Sequence, residues 1–196
     1  AGFEADGAQE IFSGDHSSNT TSTKRTIKAS DENENAEGAF ALASVFAEFA
    51  ANDQVSFGLS FVPHSATTEE AENTQNMGTA FSAQATNSVK VSFDDLVTVY
   101  GLINLNENVY AKAGFMQVEL ITEENLGTGG AYGNDTLEGY TLALGYNYDL
   151  ADGMFVRGEA AYMEIDGVTL TNQNDSTKSV SADGITGMGV QISVGK

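Results

Sequence analysis

Alternating side chains define the clearest stretch of the sequence, residues 137–165. In its first half every second residue is large and apolar or aromatic, namely Tyr140, Leu142, Leu144, Tyr146 and Tyr148. This period of two is the side-chain alternation of a β-strand. Asp152-Gly153 then gives a turn signal, after which the alternation resumes at Met154, Val156, Gly158, Ala160 and Tyr162. The segment predicts a β-hairpin with one apolar, aromatic face and one small or charged face.

The same alternation recurs along the chain and predicts further strands at residues 1–14, 38–51, 55–62, 88–105, 109–121 and 185–194. Residues 38–51 are apolar on both faces, and their alanine content is compatible with a helix. The Asn52-Asp53 turn and the strand that follows at hairpin spacing favour a strand there. Together with the hairpin, these segments make eight predicted strands.

The connections between the predicted strands alternate between long and short. Short turns fall near Asn52, Glu107 and Ala151, and long polar segments occupy residues 15–37, 65–87, 122–136 and 167–183. A short exposed helix is the alternative for residues 68–72. In an up-and-down meander every second connection lies at the same end, so the short turns gather at one end and the long loops at the other.

This asymmetry decides the predicted fold class. Outer-membrane barrels have an even number of strands, short periplasmic turns and long extracellular loops. The predicted strands are about 9–11 residues long, which is the length that a tilted strand needs to cross a bilayer. The sequence therefore predicts an all-β protein with one domain, residues 1–196. Its fold is an eight-stranded antiparallel up-and-down transmembrane β-barrel with short periplasmic turns and long extracellular loops.

At the level of this pattern the chain resembles the small eight-stranded outer-membrane proteins of Gram-negative bacteria, of the OmpA transmembrane-domain and OmpX-like kind. The resemblance covers nearly the whole chain and includes no specific motif. Such proteins usually end in an aromatic residue, whereas this sequence ends Val194-Gly195-Lys196. The resemblance implies an outer-membrane location at the cell surface, with membrane lipid as a partner.

Composition excludes several other classes of protein. The net charge of −20 argues against nucleic acid as a partner. The chain has no cysteine, so it forms neither a disulfide nor a thiolate metal site. No apolar run approaches the roughly 20 residues of a transmembrane helix. No signal peptide is visible at Ala1, which is the expectation for an exported protein after processing.

Charged residues on the small, polar face are the strongest chemical feature. A barrel of eight strands is filled by side chains, and Lys112, Arg157 and Glu159 fall at inward-facing positions. Removing one partner of a buried ion pair costs about 3–5 kcal/mol. The pattern therefore predicts a lumenal network in which Arg157 and Lys112 pair with Glu159, with Glu48 as a further candidate. Its predicted role is to plug the interior, and a small porin-like passive channel is the alternative.

Tyrosines on the apolar face predict the membrane boundaries. Aromatic girdles mark both membrane–water interfaces of barrels. Tyr148 lies next to a short turn, with Tyr146 beside it, and Tyr140 and Tyr162 lie toward the long loops. The alternative is that these are core aromatics of a soluble sheet.

The sequence offers no enzyme chemistry, cofactor site or assigned metal site. Residues 127–133 are rich in glycine, but Tyr132 stands where the dinucleotide motif needs its third glycine. We read them as a flexible loop, and His16 and His64 as solvated loop residues without convergent partners. Acidic side chains in two long loops offer hard oxygen ligands for divalent cations. A solvated acidic surface is the favoured interpretation of Asp31, Glu32, Glu34, Glu37, Glu69, Glu70 and Glu72.

The function predicted from the sequence is that of a membrane-anchored surface, structural or adhesion protein that acts through its acidic extracellular loops. The alternatives are the passive channel and a soluble all-β binding or virion surface protein.

Overall fold

The computed structural model describes residues 2–7, 34–39, 41–68, 70–77, 83–127, 129–176 and 179–196. Within these ranges the chain is all-β, and its strands pair antiparallel. The strands are β1 (Gly2–Gly7), β2 (Glu34–Ala39), β3 (Val45–Ala50), β4 (Val55–Val62), β5 (Ala66–Thr67), β6 (Ala71–Met77), β7 (Ala83–Asn104), β8 (Val109–Leu126), β9 (Asp135–Asp149), β10 (Phe155–Ile165), β11 (Val168–Thr171), β12 (Ser179–Ala182) and β13 (Ile185–Gly195).

Eleven of these strands form one sheet, and nine of them follow one another in the order β2-β1-β13-β10-β9-β8-β7-β4-β3. β5 and β6 pair with the part of β7 that extends past β4, and β11 and β12 form a separate two-stranded ribbon. The predicted hairpin is formed by β9 and β10, with Leu142 opposite Tyr162 and Tyr146 opposite Gly158.

The short turns predicted near Asn52, Glu107 and Ala151 are confirmed, and their sequences explain them. The side-chain oxygen of Asn52 accepts hydrogen bonds from the N–H groups of Gln54 and Val55, and Asn106 repeats this arrangement between β7 and β8. In such Asx turns the side-chain oxygen of asparagine takes the place of a backbone carbonyl as the hydrogen-bond acceptor. In the third turn, the 3₁₀ turn Ala151–Gly153, both Asp152 and Gly153 have positive φ.

The long connections contain more strand than the sequence predicts. Residues 65–87 hold β5, β6 and the start of β7, so the alternative of a short helix at residues 68–72 is wrong. The predicted loop 15–37 already contains the first residues of β2, and the predicted loop 167–183 folds as the ribbon β11–β12. The predicted strand 38–51 is interrupted between β2 and β3. β5 and β6 escape prediction because their sequences are polar and show no apolar alternation. β11 and β12 do alternate, and Val168 and Leu170 pack against the apolar core, but each strand has only four residues.

The predicted closed barrel is not found among the described residues, because the hydrogen-bonded order of the sheet is an open path with β2 and β3 at its ends. The sheet is nevertheless strongly curled. β3 and β10 lie five strand positions apart, which is about 24 Å in a flat sheet at the usual strand spacing. Glu48 of β3 and Arg157 of β10 are in hydrogen-bond contact, so the sheet wraps around an interior.

A β-bulge in β7 sets which side chains enter this interior. The register with β8 shifts between Asp94 and Val97, and Asp95 has a φ of 53°. Because side chains alternate with a period of two, one extra residue reverses the faces of everything beyond it. Even-numbered residues such as Tyr100 are buried after the bulge, whereas odd-numbered Val91 and Phe93 pack inward before it.

The interior has two layers. At the long-loop end an apolar core is formed by Met116, Val118, Leu120, Leu137 and Ile165. At the short-turn end the inward side chains include polar and charged groups beside the buried Leu102. The described residues contain no helix that is long and apolar enough to cross a membrane.

Candidate functional site

Six side chains form the polar layer, and we call them the polar cluster: Glu48, Tyr100, Tyr110, Lys112, Arg157 and Glu159. They come from four strands, β3, β7, β8 and β10, at positions where the strand alternation points inward. The curl of the sheet brings Glu48 to the strands of the central hairpin. No single stretch of sequence contains the site.

Arg157 and Glu48 form one ion pair across the interior. The guanidinium Nη1 and Nη2 donate to the two carboxylate oxygens over 2.5 and 3.0 Å. This bidentate geometry is the strongest that arginine makes with a carboxylate. The two side chains are only 12% and 16% exposed. The pair therefore fixes β3 against β10 although these strands do not share backbone hydrogen bonds.

Lys112 and Glu159 form the second ion pair. The Lys112 ammonium donates to Glu159 Oε1, and the Tyr110 hydroxyl donates to Glu159 Oε2 over 2.8 Å. The Lys112 and Glu159 side chains are 14% and 5% exposed. Each carboxylate of the polar cluster thus has a cation and a phenol as partners, which is what a shielded charge requires.

The two tyrosines connect the two ion pairs. Tyr100 donates its hydroxyl to Glu48 over 2.9 Å, while its ring lies 5.0 Å from the Lys112 ammonium of the other pair. Tyr110 bonds Glu159, while its ring lies 4.8 Å from the Arg157 guanidinium. Each ring therefore makes a cation–π contact with one pair and a hydrogen bond with the other. The polar cluster is a single network with two positive and two negative charges.

Glycines on the neighbouring strands make room for these rings. Tyr110 lies opposite Gly145 and Tyr100 lies opposite Gly58 in the strand registers. A Cβ atom at either glycine would collide with the facing tyrosine ring. The rings are therefore held flat across the neighbouring strand, where they fill the interior.

The structure brings together the four ion-pair candidates that the sequence singles out. The sequence assigned Glu159 to both cations, whereas Glu159 pairs with Lys112 and Glu48 pairs with Arg157. Tyr100 and Tyr110 were not among the predicted site residues. Two signals were available for Tyr110: it shares the inward face with Lys112, and a glycine stands at the matching position of the next predicted strand.

The outer face of the sheet has the opposite character. It exposes a surface of large side chains that we call the outer apolar band: Val45, Phe49, Phe57, Leu59, Val99, Ile103, Phe115, Tyr140, Leu142, Leu144, Tyr146, Tyr148, Met188, Val190, Ile192 and Val194. These alternate along each strand with the inward residues. The band is continuous from β3 at one end of the sheet to β13 near the other.

The four tyrosines named from the sequence lie on this outer face. Tyr146 and Tyr148 are exposed near the short turns. Toward the long loops, Tyr140 and Tyr162 have ring centroids 6.3 Å apart, and both donate hydroxyl hydrogen bonds to Glu164. Glu164 lies directly opposite Tyr140 in the register of β9 and β10, at the long-loop edge of the outer apolar band.

Hydrogen bonds between side chains and the backbone connect the long segments at the long-loop end of the sheet. The buried Asn172 side chain accepts hydrogen bonds from the N–H groups of Ala131 and Asn174. Asn174 in turn donates to the Gly129 carbonyl, and Glu124 accepts from the Tyr132 N–H. The glycine-rich segment, read from the sequence as a flexible loop, is thus tied to the turn between β11 and β12.

The acidic loop residues, for which the sequence favours a solvated surface over cation binding, are only partly described. Asp31, Glu32, Glu69 and His16 lie outside the described residues, and the structure places the backbone of Glu34 and Glu37 in β2. In the ranges that it does describe, no three acidic or histidine side chains come together as metal ligands. His64 accepts a hydrogen bond from the Ala43 N–H over 2.8 Å, which holds the segment before β3.

Neither a protein-family model nor a curated protein sequence matches the chain. The fold and the contacts described above therefore carry the functional argument.

Proposed function

We propose that the chain is a bacterial outer-membrane β-barrel protein with a side-chain-filled lumen, which acts as a membrane-anchored surface, structural or adhesion protein. The observation that carries this proposal is the outer apolar band. Soluble monomers rarely expose contiguous apolar patches larger than a few hundred Å². A lipid-facing barrel has an apolar exterior and a polar interior, which is the arrangement of the outer band and the polar cluster.

The tyrosine positions support the same orientation. Tyr146 and Tyr148 lie at the short-turn edge of the outer apolar band, and Tyr140 and Tyr162 lie at the long-loop edge. Amphipathic rings at two levels are typical of the two membrane–water interfaces. The periplasmic side would then hold the short turns, and the extracellular side would hold β11, β12 and the acidic connections.

The polar cluster supports a plugged interior over an open pore. Its two positive and two negative charges balance, and its four charged side chains are at most 16% exposed. The apolar core closes the interior on the long-loop side of the polar cluster. An ion crossing the interior would have to break a buried pair, which costs several kcal/mol. In this proposal the polar cluster holds the wall together, and the loops meet external ligands.

Detergent dependence tests the proposal most simply. The purified chain is expected to need detergent micelles for solubility and to migrate differently on gels before and after boiling, since closed barrels resist unfolding by detergent at room temperature. A chain that is monodisperse in plain buffer would instead support a soluble all-β binding protein. In planar bilayers we expect only rare, small conductance steps. Large steady conductance would contradict the plugged interior and support the alternative of a passive channel.

A further inference from the structure

A carboxylate that is bound by two tyrosines lies at the long-loop edge of the outer apolar band. Glu164 lies two residues beyond Tyr162 on the outer face of β10, directly opposite Tyr140 of β9. Both tyrosine hydroxyls donate to the same carboxylate oxygen, Oε2. We call these three side chains the tyrosine–carboxylate group. Because both hydroxyls use Oε2, the other oxygen, Oε1, is the acceptor that a further donor can bind.

The surroundings of the tyrosine–carboxylate group favour a cation. The two rings have centroids 6.3 Å apart, and Tyr140 is exposed. The faces of tyrosine rings attract ammonium groups. The neighbouring outward charges also have the same sign, since Glu138 of β9 and Glu119 of β8 are exposed carboxylates. A positively charged ligand is therefore attracted to this edge, and an anionic one is repelled.

A furrow runs along β10 from the tyrosine–carboxylate group toward the short turn. Its floor is formed by the next two outward residues of β10, Ala160 and Gly158, which are both exposed. Its walls are the large exposed residues opposite them on β9 and β13: Leu144, Tyr146, Val190 and Ile192. Among the described residues, nothing lies within 4 Å of a Cβ added at Gly158. The backbones of β9 and β13 are about 9–10 Å apart across β10, so a single hydrocarbon chain fits between the walls.

The length of the furrow matches one leaflet of a membrane. Glu164 and Gly158 are six residues apart on β10, which is about 20 Å along a strand. At the tilt of about 40° that is usual in membrane barrels, this length corresponds to a depth of about 15 Å. That depth is half of the roughly 30 Å hydrocarbon core of a bilayer. The tyrosine–carboxylate group then lies at the level of the headgroups, and Gly158 lies near the ends of the acyl chains.

We propose that the tyrosine–carboxylate group and the furrow together form a binding site for one membrane phospholipid whose headgroup carries a primary ammonium, such as ethanolamine. The ammonium donates to Glu164 Oε1 and contacts the tyrosine rings, and one acyl chain lies in the furrow. This inference rests on the proposed function, because the furrow meets lipid only if the outer apolar band does. It adds a lipid class to that function.

The chemistry of the site separates three common headgroups. An ethanolamine headgroup donates charge-assisted hydrogen bonds to a carboxylate. A choline headgroup is also cationic at its nitrogen, but it has no N–H group to donate and binds only through charge and the ring faces. A glycerol headgroup leaves the lipid with a net negative charge, which the carboxylates of Glu119, Glu138 and Glu164 repel. The site therefore prefers ethanolamine to choline, and choline to glycerol.

Selective fluorescence quenching tests the proposal. The sequence has no tryptophan, and Met188→Trp places one opposite Tyr162, beside the furrow. The 196-residue chain is folded into vesicles that contain equal amounts of phosphatidylcholine and phosphatidylethanolamine, with bromine on the acyl chains of one lipid at a time. We expect the two quenching levels to correspond to about threefold tighter binding of the ethanolamine lipid.

Two substitutions of acidic residues test the headgroup contact. Glu164→Gln keeps an oxygen that accepts the tyrosine hydroxyl bonds but removes the charge, so the preference should fall to about one. Glu138→Gln removes a neighbouring charge from the same edge and is the matched control, in which the threefold preference should remain. An equal loss in the two variants would overturn the proposal, because it would indicate attraction by the whole acidic edge.

Two further substitutions test the furrow. Ala160→Leu fills its floor and should remove most of the preference for the ethanolamine lipid. The matched control is Ala113→Leu on β8, another small outward position, which lies between Gly101 and Leu142 and has no tyrosine-bound carboxylate beyond it. This control should keep the preference. Equal effects of the two leucines would reject the furrow as the site of the acyl chain.

The same measurement separates failure of the site from failure of the proposed function. Equal quenching by the two brominated lipids would show an inserted protein without a selective site and would overturn the proposal. Stronger binding of the choline lipid would reject the hydrogen-bonded primary ammonium. Weak quenching by both lipids would contradict membrane insertion itself, and therefore the proposed function. Vesicles in which both lipids are brominated show whether each variant has inserted.

Discussion

The two carboxylates of the polar cluster have equivalent partners, a cation and a tyrosine hydroxyl. Glu159 is the more buried of the two. Lys112, Arg157, Glu159 and Glu48 could be named from the sequence because charges are rare in its strands and these lie on the small-residue face. The partner of each charge could not be named, because pairing between β3 and β10 depends on the curl of the whole sheet.

Glu159→Gln keeps the shape of the side chain but removes its charge. Lys112 would then remain shielded without an opposing charge, so we expect a loss of about 3–5 kcal/mol in the free energy of unfolding. Urea unfolding in detergent micelles measures this loss. Glu107→Gln, in an exposed turn, is the matched control and should change stability by less than about 0.5 kcal/mol. Equal effects of the two substitutions would contradict a buried network.

Gly145→Ala tests the close contact between the Tyr110 ring and the neighbouring strand. A Cβ there meets the ring, and forced overpacking costs about 1–3 kcal/mol. Gly158→Ala is the control, since nothing lies within 4 Å of its added Cβ. The urea midpoint should fall for the first variant and stay level or rise for the second. A fall in both, or in neither, would show that Tyr110 does not lie across Gly145.

At the scale of elements, the strands that alternate between apolar and polar residues were predictable, and β4 has the predicted bounds. The bulge in β7 was not, because Asp94 and Asp95 carry no obvious turn signal within a long strand. β5 and β6 were not predictable either, because their polar sequences are typical of loops. β11 and β12 alternate between apolar and polar residues, but over only four residues each, which is too short a pattern to separate a strand from a loop.

Two substitutions at Asp95 test the bulge. The side chain is exposed and the backbone has a φ of 53°, so glycine should be tolerated with a stability change below about 0.5 kcal/mol. Valine, which is β-branched, should destabilise by about 1–2 kcal/mol because the left-handed conformation brings its Cβ against the next carbonyl. Urea midpoints of both variants measure the difference. Greater stability with valine than with glycine would mean that β7 runs through without a bulge.

For the whole molecule, the central claim is that the outer apolar band meets lipid. The sequence has no tryptophan, so a single tryptophan reports on its own surroundings. Leu144→Trp places it in the middle of the band, and Thr136→Trp places it at an exposed position at the long-loop end. Both variants are folded into vesicles whose acyl chains carry bromine, a fluorescence quencher. We expect strong quenching at residue 144 and little at residue 136, whereas equal, weak quenching at both positions would contradict membrane insertion.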